Sequence, residues 1–170
     1  MRTGSYATGE LHYYFDNGTQ RIRYICLDTG HPDPSVISDE QIVWMQERIR
    51  ELASGWTVIV LTHQFYTAPG EKDGNGDKII AGLNGVFDEA EAAIACVVCG
   101  HSHADYMEIT ARGYPVICTT CDARGGEAGG LRRRCCTYTE QAFDVIHIDT
   151  DARKIYVTRI GAGEDRQAAY

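Results

Sequence analysis

The chain has 170 residues, of which 44% are hydrophobic and 24% are charged. This composition is typical of a folded globular protein, and a chain of this length can bury about two thirds of the surface that it exposes when unfolded. The formal net charge is -8 at pH 7. Because nucleic acids are polyanions, so acidic a chain is not expected to bind them.

The sequence also argues against a membrane protein. No apolar segment reaches the roughly 20 residues that a bilayer-spanning helix needs, and residues 1 to 5 lack the apolar core of a secretory signal. The cysteines number seven, and Cys26, Cys96 and Cys118 stand in apolar runs, where a thiol packs as a small hydrophobic group. We therefore expect a cytoplasmic protein with reduced thiols.

The first elements along the chain are a hairpin and a helix. Residues 11 to 29 alternate aromatic or β-branched residues with polar ones around an Asn-Gly turn, which predicts a β-hairpin. Ser38 is followed three positions later by Gln41, a capping box that predicts the start of a helix. Apolar residues then recur at helical spacing as far as Leu52.

The middle of the chain repeats a strand and a helix. Thr57 to Leu61 is a continuous apolar run, which predicts a buried parallel strand. After a glycine-rich loop over residues 69 to 77, a helical pattern covers residues 83 to 93 and a second apolar strand covers residues 94 to 99. This alternation is typical of an α/β fold.

Beyond His103 the pattern changes to short strands without long helices. The predicted strands cover residues 106–110, 114–119, 143–149 and 154–160. Residues 122 to 139 contain several glycines and a short basic run at 132 to 134, and they predict a long solvated loop. We expect a single domain over residues 1–170, with a mixed sheet, two helices and a mostly antiparallel C-terminal part.

Three histidines stand where chemistry is usually placed in such a fold. His63 follows the strand that ends at Leu61, and His101 and His103 follow the strand that ends at Cys99. Ligands of open α/β sheets bind at the carboxyl ends of the strands. Two neighbouring parallel strands would bring the three imidazoles together, and imidazole is a common metal ligand. The sequence therefore predicts a metal site formed by these histidines.

Two segments around these histidines resemble signature motifs of the calcineurin-like metallophosphoesterases. They are Val-Leu-Thr-His-Gln at residues 60–64 and Cys-Gly-His-Ser-His-Ala-Asp at residues 99–105, which contains the Gly-His-x-His motif. Leu-Asp-Thr at residues 27–29 and Ser-Asp-Glu-Gln-Ile-Val-Trp-Met at residues 38–45 are similar to the family's strand and following helix. The resemblance spans roughly residues 11 to 160.

The resemblance implies the C-terminal half of an αββα sandwich and a site with two divalent metal ions. By it, His63 and His101 would bind one ion and His103 the other. Mixed imidazole and carboxylate ligands suit Mn, Fe or Zn, and paired metals activate a hydroxide for phosphoester hydrolysis. The expected substrate is a phosphorylated small molecule or another phosphoester.

The family's N-terminal motifs, Asp-x-His, Gly-Asp-x-x-Asp and Gly-Asn-His followed by Asp or Glu, do not occur in this sequence. Three imidazoles divided between two ions cannot complete either coordination sphere. We therefore expect a partial domain that binds metal weakly and is weakly active or inactive alone. Sheet edges and apolar surface left by the missing half would favour self-association.

Three further residues are candidates for supporting roles. Gln64 and Tyr66 follow His63 closely in sequence, and we expect that they could line the substrate pocket. Asp105 follows the second histidine motif, and its carboxylate could orient a ligand histidine through a hydrogen bond.

Two other functions are compatible with parts of the sequence. Cys96 and Cys99 form one Cys-x-x-Cys pair, and Cys118 and Cys121 form a second at zinc-ribbon spacing. Residues three apart on one strand point to opposite faces, which weakens that interpretation. The other alternative is a phosphoesterase-like scaffold that has lost catalysis and serves as an interaction module.

Overall fold

The computed structural model describes residues 2–4, 11–29, 36–122, 126–128 and 131–170. These residues form two α-helices, α1 (Asp39–Arg50) and α2 (Gly74–Phe87), and a 3-10 turn at Tyr138–Glu140. The strands of the first half are β1 (Arg2–Gly4), β2 (Tyr13–Asn17), β3 (Ile22–Cys26), β4 (Thr57–Leu61), β5 (Tyr66–Ala68), β6 (Glu71–Lys72) and β7 (Ala93–Cys99). Those of the second half are β8 (Tyr106–Ile109), β9 (Pro115–Cys118), β10 (Gly126–Ala128), β11 (Leu131–Arg133), β12 (Ala142–Asp149), β13 (Lys154–Gly161) and β14 (Arg166–Ala169).

A mixed seven-stranded sheet forms the centre of the molecule, in the order β1-β2-β3-β4-β7-β9-β8. Its four inner strands, β3, β4, β7 and β9, are parallel, and the outer pairs are antiparallel. The predicted fold class, an α/β protein with a mixed sheet and two helices, is confirmed. The predicted hairpin is also confirmed, as β2 and β3.

Helix α1 begins where the capping box predicts. The Ser38 hydroxyl accepts a hydrogen bond from the Gln41 amide at 3.2 Å, and the first turn is acidic while the last turn is basic, which complements the helix dipole. Met45 and Ile49 are fully buried against the central sheet. The sequence pattern therefore located this helix because its cap and its apolar face agree.

Helix α2 begins nine residues before the predicted helical pattern. The predicted loop over residues 69–77 is wrong in its second half, because the Asp73 carboxylate caps the helix by accepting a hydrogen bond from the Gly76 amide at 2.9 Å. Its glycines allow close packing between helices: a Cβ atom on Gly82 would lie 2.7 Å from Ile42 Cγ2 of α1. Residues 88–92 lie beyond its end and lead directly into β7.

The other face of the central sheet is covered by a second, antiparallel sheet of three strands, β12-β13-β14. Ile155 and Val157 of β13 pack with Ile59, Ala95 and Ile117 of the central sheet. Strands β12 and β13 were predicted, whereas β14 was not, because its Arg-Gln-Ala-Ala sequence lacks β-branched and aromatic residues. The described part of the chain therefore has three layers: helices, central sheet and second sheet.

The parallel pair β4 and β7 contains a β-bulge. Val58 pairs with Ile94, but the next residue, Ile59, pairs with Cys96, so that Ala95 is an extra residue in β7. Ala95 and Cys96 consequently belong to the same core cluster, between the two sheets.

The segment predicted as a long solvated loop contains structure where it is described. Strands β10 and β11 form an antiparallel pair, and Arg133 is buried, with only 4% of its surface exposed. Its guanidinium donates hydrogen bonds to the backbone oxygens of Cys121 at 2.6 Å and Asp122 at 2.8 Å. The prediction that this arginine is solvated was wrong, because these carbonyl groups satisfy its donors inside the protein.

Neither helix in the described residues is long and apolar enough to cross a membrane.

Candidate metal centre

The ends of β4 and β7 place His63 and His101 side by side. The two strands are parallel neighbours with Leu61 opposite Val98, and each histidine lies two residues beyond the end of its strand. A backbone hydrogen bond of 3.1 Å from the Gly100 amide to the His63 carbonyl extends the pairing into the turn. The predicted proximity of these two strand ends is confirmed.

The two imidazole rings meet edge to face, and the distance between their nearest nitrogens fits a shared metal ion. His63 Nε2 lies 3.4 Å from His101 Nδ1, and the rings are nearly perpendicular, at 82°. Two nitrogens bound to one tetrahedral ion at about 2.0–2.1 Å are separated by about 3.3–3.4 Å. Because both residues are exposed, an ion can reach the nitrogens from solvent.

The electrostatics of the site favour a neutral His63. Partial desolvation lowers the pKa of the His63 imidazole, and the positive charges that His101 and His103 carry when protonated lower it further. His103 belongs to the same turn, two residues after His101. A metal ion requires the neutral form of an imidazole, so this shift reduces the competition from protons.

The backbone of the histidine turn is held in a conformation that these residues rarely adopt. His101 and His103 have φ angles of 67° and 56°, in the left-handed region. The turn is fastened by a backbone hydrogen bond of 2.9 Å from the Ser102 amide to the Gly100 carbonyl and by a bond of 2.9 Å from the Thr120 hydroxyl to the His103 carbonyl. Residues in such conformations persist where the surrounding structure holds them, and they are frequent at functional sites.

Among the described residues, no group of three or more His, Cys, Asp or Glu side chains is arranged to hold a metal ion. The His63 and His101 pair would supply two of the four ligands of a tetrahedral ion. The assignment of His63, His101 and His103 as ligands stays a prediction.

The cysteine geometry does not support a zinc ribbon. Cys96 packs between the two sheets, whereas Cys99 belongs to the core on the helix side of the central sheet. Cys118 lies opposite Cys99 in the parallel pair of β7 and β9 and shares its face. Because Cys96 lies on the other side of the sheet, it cannot bind an ion together with these two.

Asp105 is engaged with arginines of the second sheet. Its Oδ1 atom lies 2.6 Å from the Arg159 guanidinium and 3.0 Å from that of Arg166, and both arginines also contact Asp144. The four charges lie almost entirely inside the protein, and they connect the segment after the histidine turn to β12, β13 and β14. A role for Asp105 in orienting a histidine stays a prediction.

The two residues proposed for the substrate pocket lie in different environments. Gln64 is half-buried, and its side-chain oxygen accepts a hydrogen bond of 3.4 Å from Asn75. Tyr66 is completely buried in the core against the ring of Tyr106, and burial raises the pKa of its phenol. Substrate contact by either residue stays a prediction.

Three buried polar residues near this edge of the sheet were not predicted from the sequence. They are Thr29, Asn75 and Gln41, which was expected only as part of a capping box and not as a partner of the residue Asp28 after β3. Each has at most 4% of its surface exposed. Their signal in the sequence is weak, because Thr, Gln and Asn are common in turns and helix caps for local reasons.

A cavity of about 620 Å³ lies at the opposite end of the parallel strands. It is lined by Arg21, Trp56 and Thr57 beside the start of β4, Ala93 at the start of β7, and Arg153 and Tyr170 of the second sheet region. This cavity is separated from the histidines by the full length of β4.

No family model matches the sequence, and no curated protein matches it. The fold is similar to the crystal structure of a dimetal phosphatase from Danio rerio, with a TM-score of 0.58 and 14% sequence identity. The match covers 95% of this chain and 61% of that chain. The chain therefore has a fold like that of a dimetal phosphatase and spans about three fifths of its length.

Proposed function

We propose that the chain contributes to a two-metal phosphoesterase site, in which His63 and His101 bind one divalent ion and His103 binds the second. The substrate class is a phosphoester. The metals that this donor set suits are Mn, Fe or Zn, because imidazole nitrogen is a ligand of intermediate softness. When bound, paired ions supply an activated hydroxide and stabilise charge on the phosphoryl group.

The separation of 3.4 Å between His63 Nε2 and His101 Nδ1 carries this proposal. This contact is a hydrogen bond when one ring donates its N–H to the unprotonated nitrogen of the other, so the two ring nitrogens already point at each other. A cation that displaces the bridging proton would find both nitrogens at the spacing of two tetrahedral ligands. The similarity of the fold to a dimetal phosphatase supports the same chemistry.

Two imidazoles do not complete the site, so further ligands must come from elsewhere for efficient hydrolysis. We also propose that the chain self-associates. Phe143 and Ile160 pair in register on the outer face of the second sheet and are 47% and 44% exposed, which gives that face an apolar surface.

Metal titration of the purified chain tests the proposal. After removal of bound metal with a chelator, calorimetric titration with Zn²⁺ or Mn²⁺ should detect binding that is weakened about 100-fold or more in His63→Ala and His101→Ala. His147→Ala is the matched control, because His147 lies exposed on β12. Light scattering of the same samples reports self-association.

Equal affinities in the wild type and both site variants would refute the metal assignment. Hydrolysis of an aryl phosphate, measured on the same samples, distinguishes a phosphoesterase from an interaction module that has lost catalysis. Turnover that requires His63 and His101 supports the phosphoesterase, whereas metal binding without turnover supports the interaction module.

A further inference from the structure

Thr29 lies beside the site, three residues beyond the end of β3. It is 4% exposed, and its hydroxyl oxygen accepts a hydrogen bond from the Gln64 amide at 2.9 Å. The Thr62 hydroxyl donates to the same oxygen at 3.1 Å. One buried hydroxyl therefore holds the two residues that flank His63.

The residue before Thr29, Asp28, is held by two hydrogen bonds to the Gln41 side chain. The Asp28 amide donates to Gln41 Oε1 at 2.6 Å, and Gln41 Nε2 donates to the Asp28 carbonyl at 3.1 Å. Gln41 is 2% exposed and belongs to the first turn of α1. These two bonds tie the end of β3, and with it Thr29, to the helix.

Helix α2 contributes a further buried polar residue, Asn75, which contacts Gln64 beside His63. Asn75 is 1% exposed, and its side-chain oxygen accepts a hydrogen bond from the Ile37 amide at 2.6 Å. Its side-chain nitrogen lies 3.4 Å from Gln64 Oε1. Helix α2 thus contacts Gln64 directly, whereas helix α1 reaches the neighbours of His63 only through Asp28 and Thr29.

Such a network has a cost, because buried polar groups lose their water and must find partners with good geometry. The bonds of the network end on the residues flanking His63, which is exposed and whose ring contacts the ring of His101. A fixed backbone restricts the positions that the imidazole nitrogen can take, and metal ligands need placement to within a few tenths of an ångström.

We infer that Thr29 is a positioning residue for His63, holding its backbone so that the imidazole meets His101 at the spacing of a metal ion. The inference rests on the proposed metal-binding function, since it concerns the placement of one of the ligands. Thr29 would act through its bonds to Thr62 and Gln64 and is not proposed as a ligand.

The test compares cobalt binding in Thr29→Val, Thr29→Ser and the wild type, using the visible absorption of Co²⁺, which reports coordination geometry, and competition with Zn²⁺ for affinity. Valine keeps the shape of threonine and removes the hydroxyl, and we expect it to weaken binding about 10- to 100-fold and to shift the cobalt spectrum. Serine keeps the hydroxyl and should restore both properties.

Thr57→Val is the matched control. Thr57 is also 4% exposed and lies on β4, at the end remote from His63, so a general loss of stability from removing a buried hydroxyl would appear there equally. We expect its cobalt spectrum to remain that of the wild type. Should the valine variant at position 29 fail to fold, Thr29→Ala makes the same comparison without added bulk.

A Thr29→Val protein with wild-type affinity and spectrum would overturn the inference. So would equal losses in Thr29→Val and Thr57→Val. A wild-type chain that binds no cobalt would count against the proposed function instead, which keeps the two failures distinct.

Discussion

At the carboxyl ends of the parallel strands, His63 and His101 meet above a network of buried polar residues, and four charged side chains nearby are buried and paired. At the amino ends, Arg21 and Arg153 are exposed and line a cavity of about 620 Å³. The amino end thus has a cavity lined by exposed arginines, and the carboxyl end has two imidazole nitrogens at the spacing of metal ligands. The candidate site is assigned from the placement of the imidazoles and not from the volume of the cavity.

Backbone conformation also differs between the carboxyl and the amino ends of the parallel strands. Arg21 and Arg153 also have positive φ angles, 53° and 52°, but each ends the turn that joins two antiparallel strands, where a left-handed residue is ordinary. His101 and His103 are not in a hairpin turn between paired strands, since β7 and β8 are not neighbours in the sheet. Their left-handed conformation belongs instead to the turn after β7, which is held by hydrogen bonds from Ser102 to Gly100 and from Thr120 to His103.

The largest expected difference between the two ends concerns stability. Among the described residues, Arg159→Met leaves Asp105 and Asp144 with Arg166 as their one ion-pair partner, and we expect it to lower the free energy of unfolding by about 3 kcal/mol. Arg153→Met at the amino end removes only an exposed guanidinium over the Tyr170 ring and should cost less than about 1 kcal/mol. Denaturant unfolding of both variants measures the contrast, and similar losses would contradict it.

An intermediate effect is expected at high pH from Tyr114, which lies at the start of β9 near the amino ends. Burial raises the pKa of this phenol to about 12, above its usual value of about 10. Because the folded pKa is the higher one, the stability that the neutral phenol contributes is complete below pH 10 and is lost as the pH rises through 12.

Unfolding free energies at pH 9 and pH 11 test this expectation. By pH 11 the wild type should lose about 1.4 kcal/mol more than Tyr114→Phe, which cannot ionise at this position. Identical pH dependence of the two proteins would show that Tyr114 does not titrate in this way.

The smallest expected effect is the cost of backbone strain at His101, which can be measured separately from metal binding. Glycine adopts positive φ angles without penalty, so His101→Gly should be more stable than His101→Ala by about 1 kcal/mol. Arg153→Gly and Arg153→Ala should differ by a similar amount. Metal affinity should be lost in both His101 variants and kept in both Arg153 variants, and calorimetry measures each pair.

Much of the fold was predictable from local signals. The cap at Ser38, the hairpin around Asn17 and Gly18 and the apolar run from Thr57 to Leu61 were all located correctly, because cap, turn and burial pattern agree with the tertiary structure there. The start of α2 was missed because its first turn has three residues, Gly74, Asn75 and Gly76, that are typical of loops. The Asp73 cap and the close packing of Gly76 against Phe65 and Lys72 outweigh their low helix propensity.

The site was predictable only in part. The position of His63 and His101 after two apolar strands was enough to place them together. Thr29 and Asn75 could not be recognised, because their role depends on which side-chain atoms meet across three elements, and no spacing along the chain encodes that. The buried pairs of Arg159 were hidden for the same reason, since Asp105 and Arg159 are 54 residues apart.

The bulge at Ala95 sets the phase of everything that follows it in β7. Successive side chains of a strand in the central sheet point alternately to the helices and to the second sheet. One inserted residue therefore reverses the facing of all later residues in that strand. Val97, Val98 and Cys99 therefore follow the shifted alternation. The bulge places Cys99 on the helix side of the central sheet, opposite Cys118, while Cys96 packs between the two sheets.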